Sequence, residues 1–229
     1  MDNEIIPYLE MCIREGAQLQ RGMNFRLSPY HSVVLMSVRK DAPYADRIEE
    51  DGTVIIYEGH NVPKNQDNPV PQNVDQPERT PKGTLTQNGK FKNAVQLFKA
   101  NQQAAEVVRI YEKIRKGIWS YNGPFLLTDT WIEESRGRSV FKFRLESTQI
   151  GDEETPIQQS DPPRRRLIPA SIKQAVYIRD GGKCVKCGAT EELHFDHDVP
   201  YSKGGTSLSA DNVQLLCARH NLKKSDHIE

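Results

Sequence analysis

The sequence predicts an α+β chain in two unequal parts: an N-terminal curved β-sheet or barrel carrying one or two helices, then a small C-terminal module stabilised by a metal. Three observations predict it. Short runs rich in β-branched residues recur between residues 32 and 146. Residues 147–163, STQIGDEETPIQQSDPP, are polar and poor in apolar side chains, the composition of a connector. Cys184, Cys187 and Cys217, three of the four cysteines, fall in the last quarter of the chain. The 229 residues therefore divide into 1–146, a linker over 147–169, and 170–229.

Residues 4–15, EIIPYLEMCIRE, place Ile5, Ile6, Leu9, Cys12 and Ile13 near helical spacing, with Pro7 tolerable in a first turn. Cys12 reads as a small core residue, and helix pairing between two copies of the chain is the alternative use of this stretch. SVVLMSV (32–38) and GTVIIYEG (52–59) read as strands, as do VVRIYEKI (107–114), GPFLLTDTWIEE (123–134) and the alternating VFKFRLE (140–146). NAVQLFKANQQAAE (93–106) reads as a helix with Ala94, Leu97, Phe98 and Ala104 or Ala105 on one face. Residues 62–82 are rich in Pro, Asn, Gln and Asp, and a loop of that length is either functional or unstructured.

The chain carries 31 basic and 31 acidic residues, so it offers no global charge for indiscriminate polyanion binding. Any nucleic-acid contact must come from local patches. Arg164, Arg165 and Arg166 form one basic run, read either as a solvated linker face or as a phosphate contact. No apolar run reaches membrane-spanning length and no export signal is visible, so a cytoplasmic protein is expected.

CVKCG (184–188) is a Cys-x-x-Cys knuckle whose Gly188 supplies the turn, and CARH (217–220) is a Cys-x-x-His pair. Cys184, Cys187, Cys217 and His220 offer three thiolates and an imidazole, a closed tetrahedral set that zinc uses for structure. A module of some sixty residues buries little core, so metal ligation contributes folding free energy directly. A redox Cys-x-x-Cys is the alternative, which the second pair disfavours.

Between the knuckles, LHFD (193–196) alternates like a strand ending near Pro200, SKGG (202–205) gives a flexible turn, and SADNVQLLCARHNLKK leads through a loop into a short helix starting near Cys217. DHDVPYSKGGTSLSADNVQLLCARHNLKKSD resembles the HNH nuclease motif, the ββα-metal fold, over roughly residues 172–227. The resemblance places Asp196-His197, Asn212 and Asn221 at the motif positions, the last an Asn where His is also found. It implies that His197 takes a proton from water, that Asp196 and Asn221 hold a Mg²⁺ or Mn²⁺ ion at the scissile phosphate, and that Asn212 orients His197 through loop hydrogen bonds. Adjacent strand residues point to opposite faces, so Asp196 and His197 serve one phosphate only if the strand bends or ends there. His194 reads as a surface or packing residue and His227 as a terminal one. Lys223 and Lys224 read as phosphate contacts or a solvated face.

PYHSVVLMSVRKDAPYADRIEEDGTVIIYEGHN resembles the start of an SRA domain, a family that flips a modified cytosine out of DNA. LTQNGKFKNAV resembles its strand-to-helix element, and WSYNGPFLLTDTW its Tyr-Asp-Gly signature with Asn122 in place of Asp. This resemblance spans about residues 20–146. It implies that Tyr44 and Tyr57 stack on the flipped base and that Asp46 accepts from cytosine N4, while His60, Asn61 and Asn88, in loops, fill the vacated stack or touch the backbone.

The combined expectation is a modification-dependent DNA endonuclease. It would flip and read 5-methylcytosine or 5-hydroxymethylcytosine in double-stranded DNA and hydrolyse nearby phosphodiester bonds in a prokaryotic restriction role. One such site cuts one strand, so a homodimer is expected. Two alternatives stay open: a modified-DNA reader whose zinc module does not turn over, and an HNH nickase indifferent to modification.

Overall fold

The structure, a computed structural model, describes residues 3–38, 42–66, 68–148, 167–199 and 205–224. The elements in order are β1 (Glu4–Pro7), α1 (Tyr8–Arg14), β2 (Met23–Asn24), β3 (Ser32–Met36), β4 (Arg47–Glu49), β5 (Val54–Glu58), α2 (Gln87–Lys99), β6 (Glu106–Arg115), β7 (Ile118–Ser135), β8 (Arg138–Ser147), α3 (Ala170–Arg179), β9 (Leu193–His197), β10 (Val213–Cys217) and α4 (Ala218–Lys224). No described helix is long and apolar enough to cross a membrane.

Among the described residues all ten strands belong to one sheet, ordered β10-β9-β1-β7-β6-β3-β2, with β8, β5 and β4 branching from β7. The expected barrel does not close among the described residues. The reason lies in β7, whose 18 residues exceed any one partner's length. Its first four residues pair with β1, its length up to Leu127 with β6, and Phe125–Ser135 with β8. The strand thus leads into two branches, and the sheet forks instead of meeting itself.

The predicted strands are all present, but both predicted N-terminal-half helices shift. Residues 4–7 are strand, and the helix begins only at Tyr8, with Pro7 at its N-cap. Proline has no amide to give a helix and its φ suits an extended residue, so it separates the two elements. Helix α2 starts six residues earlier than expected because Thr86 accepts from the Gly89 amide and caps it. It stops at Lys99, after which Asn101 takes a left-handed φ of 56°. Ala104 and Ala105 therefore lie off the helix, and Glu106 opens β6. Helix α3 and strand β10 went unread: residues 170–179 have weak amphipathic periodicity, and the expected loop before Cys217 pairs residue for residue with β9.

Three apolar clusters fill the layers. The largest lies between α2 and the sheet, where Phe91 meets Phe143 edge-on at 5.7 Å among Val34, Ile55, Tyr57 and Leu145. The second joins Ile168 and Val176 to the β9–β10 hairpin, and Ile5 of β1 packs on it. The third tucks Met11 and Leu19 against Tyr111 and Tyr121. Leu9 and Ile13 of α1 remain exposed.

The expected linker over 147–169 and the three arginines at 164–166 lie outside the described residues, apart from its ends at 147–148 and 167–169. The returning chain is pinned at Leu167, whose amide donates to Gly52 O at 2.9 Å. Gly52 has a φ of 88°, and a Cβ there would stand 2.4 Å from Leu167 N and 2.5 Å from Leu167 O. Gly52→Ala is expected to destabilise the protein by about 2–4 kcal/mol, through left-handed strain and backbone overlap together. Denaturant unfolding of both chains measures it.

Candidate nuclease and base-reading sites

The C-terminal module is a β9–β10 hairpin followed at once by α4, with Cys217 ending the strand and His220 in the first helical turn. The four ligand atoms of Cys184, Cys187, Cys217 and His220 lie within 4.8 Å of one another. Cys187 Sγ is 3.8 Å from Cys217 Sγ, and His220 Nδ1 is 3.5 and 3.3 Å from Cys184 Sγ and Cys217 Sγ. Zn–S bonds of about 2.3 Å at tetrahedral angles place two sulfurs about 3.8 Å apart, so the set fits zinc. The Cys184–Gly188 turn is closed by Gly188 N to Cys184 O at 2.8 Å, with Gly188 at φ 74°. Burial opposes ionisation of Cys184, yet amides of Cys217, Lys186 and Cys187 aimed at its sulfur outweigh that and bring the thiol to about 6. A thiol already inclined to ionise is a ready metal ligand.

Strand β9 ends at His197, and its last two side chains diverge as strand geometry requires. The Asp196 carboxylate faces α4, where the Lys224 ammonium lies 2.8 Å from Oδ2. Lys224 also donates to the His197 carbonyl at 2.5 Å. This lysine is 1% exposed and is therefore not a phosphate contact; only Lys223 of the pair is exposed. Burial raises the Asp196 pKa, and Lys224 works against that rise. The His197 ring pairs Nε2 with Ser207 Oγ at 2.8 Å. Burial lowers its pKa, which favours the neutral base, while the Asp196 charge opposes the shift.

Asn212 makes its side-chain hydrogen bonds to the loop and not to the His197 ring. Its Oδ1 accepts from Val199 N at 2.8 Å, and its Nδ2 donates to Val199 O at 3.1 Å and Thr206 O at 3.0 Å. It clamps the two ends of the loop that leaves His197. Gly205 makes the clamp possible, since a Cβ there would stand 1.8 Å from Val199 O. Asn221 lies one turn before Lys224 on α4, hence on the same helical face. His194 is buried in β9 between β1 and β10. Pro200, residues 202–204 and His227 lie outside the described residues.

In the N-terminal half, Tyr44 stacks with His60 rather than with Tyr57: the rings are 5.8 Å apart and 18° from parallel. Tyr57 is 1% exposed within the largest core, and its buried hydroxyl has no hydrogen-bond partner. Gly22 lets this hydroxyl and His60 Nε2 both approach its backbone, because a Cβ there would lie 2.8 Å from each. Asp46 retains some accessible surface, but its carboxylate is set deep among protein atoms, and this burial lifts its pKa to about 7. Its oxygens accept from the Ser37 amide at 3.1 Å and the Glu58 amide at 3.0 Å. Burial likewise pulls His60 down to about 4, so its ring is neutral.

Asn88 was expected in a loop. It lies inside α2, 1% exposed, where Oδ1 accepts from His60 N at 2.8 Å and Nδ2 donates to His60 O at 2.9 Å. Asn61 also turns inward, accepting from Gln76 at 3.1 Å and Arg138 at 2.6 Å. Both hold the His60 loop in place. The long polar loop joins in through Gln76, which donates to Gly59 O at 2.6 Å and accepts from Phe141 N at 2.9 Å. Ser207 and Gln76 escaped the sequence reading, and Lys224 was read as a surface group, for each gains its role from a partner ten or more residues away.

Residues 184–227 match the HNH endonuclease family. No curated protein matches the chain. Among solved structures, the chain is similar to the SUVH5 SRA domain in complex with hemi-methylated CG DNA, at TM-score 0.44 and 24% identity over 69% of this chain and 93% of that one. It is similar to KRYPTONITE in complex with mCHH DNA, an H3(1–15) peptide and SAH, at TM-score 0.41 and 16% identity over 69% and 33%. It is also similar to the modification-dependent TagI restriction endonuclease, at TM-score 0.37 and 17% identity over 90% and 70%.

Purified protein is expected to carry one zinc ion per chain by elemental analysis. Cys184→Ser, or a strong chelator, should remove the ion and with it the near-UV and far-UV signal of the C-terminal module.

Proposed function

We propose that the chain is a modification-dependent DNA endonuclease, reading a modified cytosine with its N-terminal half and hydrolysing a nearby phosphodiester bond with its C-terminal module. The observation that carries this reading is the β9–β10–α4 hairpin of the HNH match, with an intact Asp196-His197 pair beside a complete metal-ligand box.

The chemistry follows from the residues. Ser207 Oγ, 2.8 Å from His197 Nε2, can accept from that nitrogen, and in this tautomer Nδ1 is left to take the proton of an attacking water. Asn212 holds the loop, so the ring stays at the end of the strand. The Asp196 carboxylate attracts a cation even now, in the form of the Lys224 ammonium, and with Asn221 it suits an oxygen-seeking divalent ion. Mg²⁺ or Mn²⁺ bound there would supply charge neutralisation at the scissile phosphate. On the reading side, the Tyr44–His60 ring pair offers a stacking platform, and Asp46 offers an acceptor for an exocyclic amine. With one hydrolytic site per chain, a double-strand break calls for two copies, and a restriction role places the protein in the cytoplasm.

Plasmid with and without cytosine modification, incubated with protein and Mg²⁺ or Mn²⁺, tests the proposal. Cutting of modified plasmid alone is expected. Equal cutting of both would point to an indifferent nickase, and binding without cutting to a reader. His197→Ala should lower cleavage by about 10²–10⁴-fold, the range for loss of a general base, while leaving DNA affinity unchanged. Gly22→Ala should drive a methyl group against Tyr57 and His60 and lower affinity for modified duplex about tenfold or more, measured by fluorescence anisotropy against unmodified duplex.

A further inference from the structure

Helix α3 inserts a lysine, Lys173, into the sheet of the other half, where it is wholly buried. Its ammonium donates to Glu112 Oε2 at 3.1 Å, Ser120 Oγ at 3.1 Å and Asn122 Oδ1 at 2.6 Å. All three partners are themselves 2% exposed or less. Asn122 Nδ2 donates in turn to Glu112 Oε2 at 3.3 Å. The arrangement explains why Asn stands where the resembled signature has Asp. An amide can accept from Lys173 and donate to Glu112, whereas an ionised carboxylate would face Glu112 with a second negative charge. Asn122 also sits at a register shift: Ile110 pairs with Gly123 and Tyr111 with Tyr121, leaving Asn122 as the extra residue of a bulge.

The contact lies at one end of a continuous hydrogen-bonded path. Tyr57 of β5 pairs with Phe143 of β8, and Phe143 with Thr130 of β7. Strand β7 then runs unbroken back to Asn122 and Ser120. Beside them β1 bridges to the nuclease hairpin, with Glu4 opposite both Tyr121 and His194. Gln174 donates to Ile114 O at 3.0 Å, and Arg115 covers the Tyr177 ring, so α3 is held at two further points beyond Lys173. A fully buried charge has no alternative partner in water, and this makes the docking geometry single-valued.

We infer that the Lys173–Glu112–Asn122 cluster determines where the enzyme cuts: by welding α3 to β7 it fixes the distance from the modified base to the cleaved phosphate. This rests on the proposed endonuclease activity and adds a positional specificity to it. A nuclease on a slack tether would cut over a range of phosphates, whereas a welded one cuts at one.

The test compares wild type with Lys173→Met/Glu112→Gln, in which both charges are removed together so that neither is left buried alone. Labels introduced as non-natural amino acids at Gln102 and Leu222, both exposed, report the distance between the halves by pulsed dipolar spectroscopy. Cleavage of a duplex bearing a single modified cytosine is mapped at nucleotide resolution in parallel. Wild type is expected to give one narrow distance and a single cut phosphate per strand. The double variant is expected to give a broad distance distribution and cuts spread over several neighbouring phosphates, with affinity for the modified duplex unchanged. A variant with a narrow distance, or with an unshifted cut, overturns the inference alone. Absence of any cleavage by wild type overturns the endonuclease reading and the positional role with it.

Discussion

The convergence of three thiols and one imidazole is the constraint on which the C-terminal module depends. Cys184 and Cys187 come from a turn ahead of β9, Cys217 from the last residue of β10, and His220 from the first turn of α4. Holding those points together decides where the strand stops and in which direction the helix leaves it. That direction brings Lys224, at the far end of α4, back onto the Asp196 carboxylate and the His197 carbonyl of β9. The apolar cluster beneath is small, nine buried residues, two of them the ligands Cys184 and Cys217. Metal ligation at this box would therefore be one event with core packing.

From that scaffold the chemistry needs little more. Asp196 and His197 are adjacent on a strand and point apart, yet the strand ends with them, so the loop clamped by Asn212 sets how the ring is presented. The N-terminal half uses the same device on a larger scale. Asn88 and Gln76 are buried and Asn61 is half-buried; their hydrogen bonds go to the backbone of Gly59 and His60, to one another and to Arg138, so the His60 ring stays parallel to Tyr44. With net charge zero, the proposed selectivity for DNA would come from such placed groups and not from a general positive field.

The strands were legible because β-branched runs bounded by glycine leave few other readings, and the ligand box because Cys-x-x-Cys and Cys-x-x-His carry their own geometry. What escaped was decided by tertiary partners. Pro7 broke a run with helical spacing because β1 found β7 and β9 to pair with. Thr86 moved the start of α2 by capping it, a signal present in the sequence as a Thr before Gln-Asn-Gly but weaker than the apolar pattern that follows. The barrel failed to close because the length of β7 permits branching. Lys224 read as a surface cation, since its burial depends on a helix direction set by the metal box, and Lys173 gave no sign at all, since its partners lie fifty or more residues upstream.

At the centre of the proposal stands a division of labour: one four-ligand box that would shape the module, and a separate oxygen site at Asp196 that would take a hard cation for the reaction. Counting bound Mn²⁺ by electron paramagnetic resonance, with zinc measured on the same samples, addresses it most directly. One Mn²⁺ per chain is expected for wild type and none for Asp196→Ala, with zinc unchanged in both. Manganese that binds the Asp196→Ala chain as well as wild type, or that competes with zinc for one site, would contradict it.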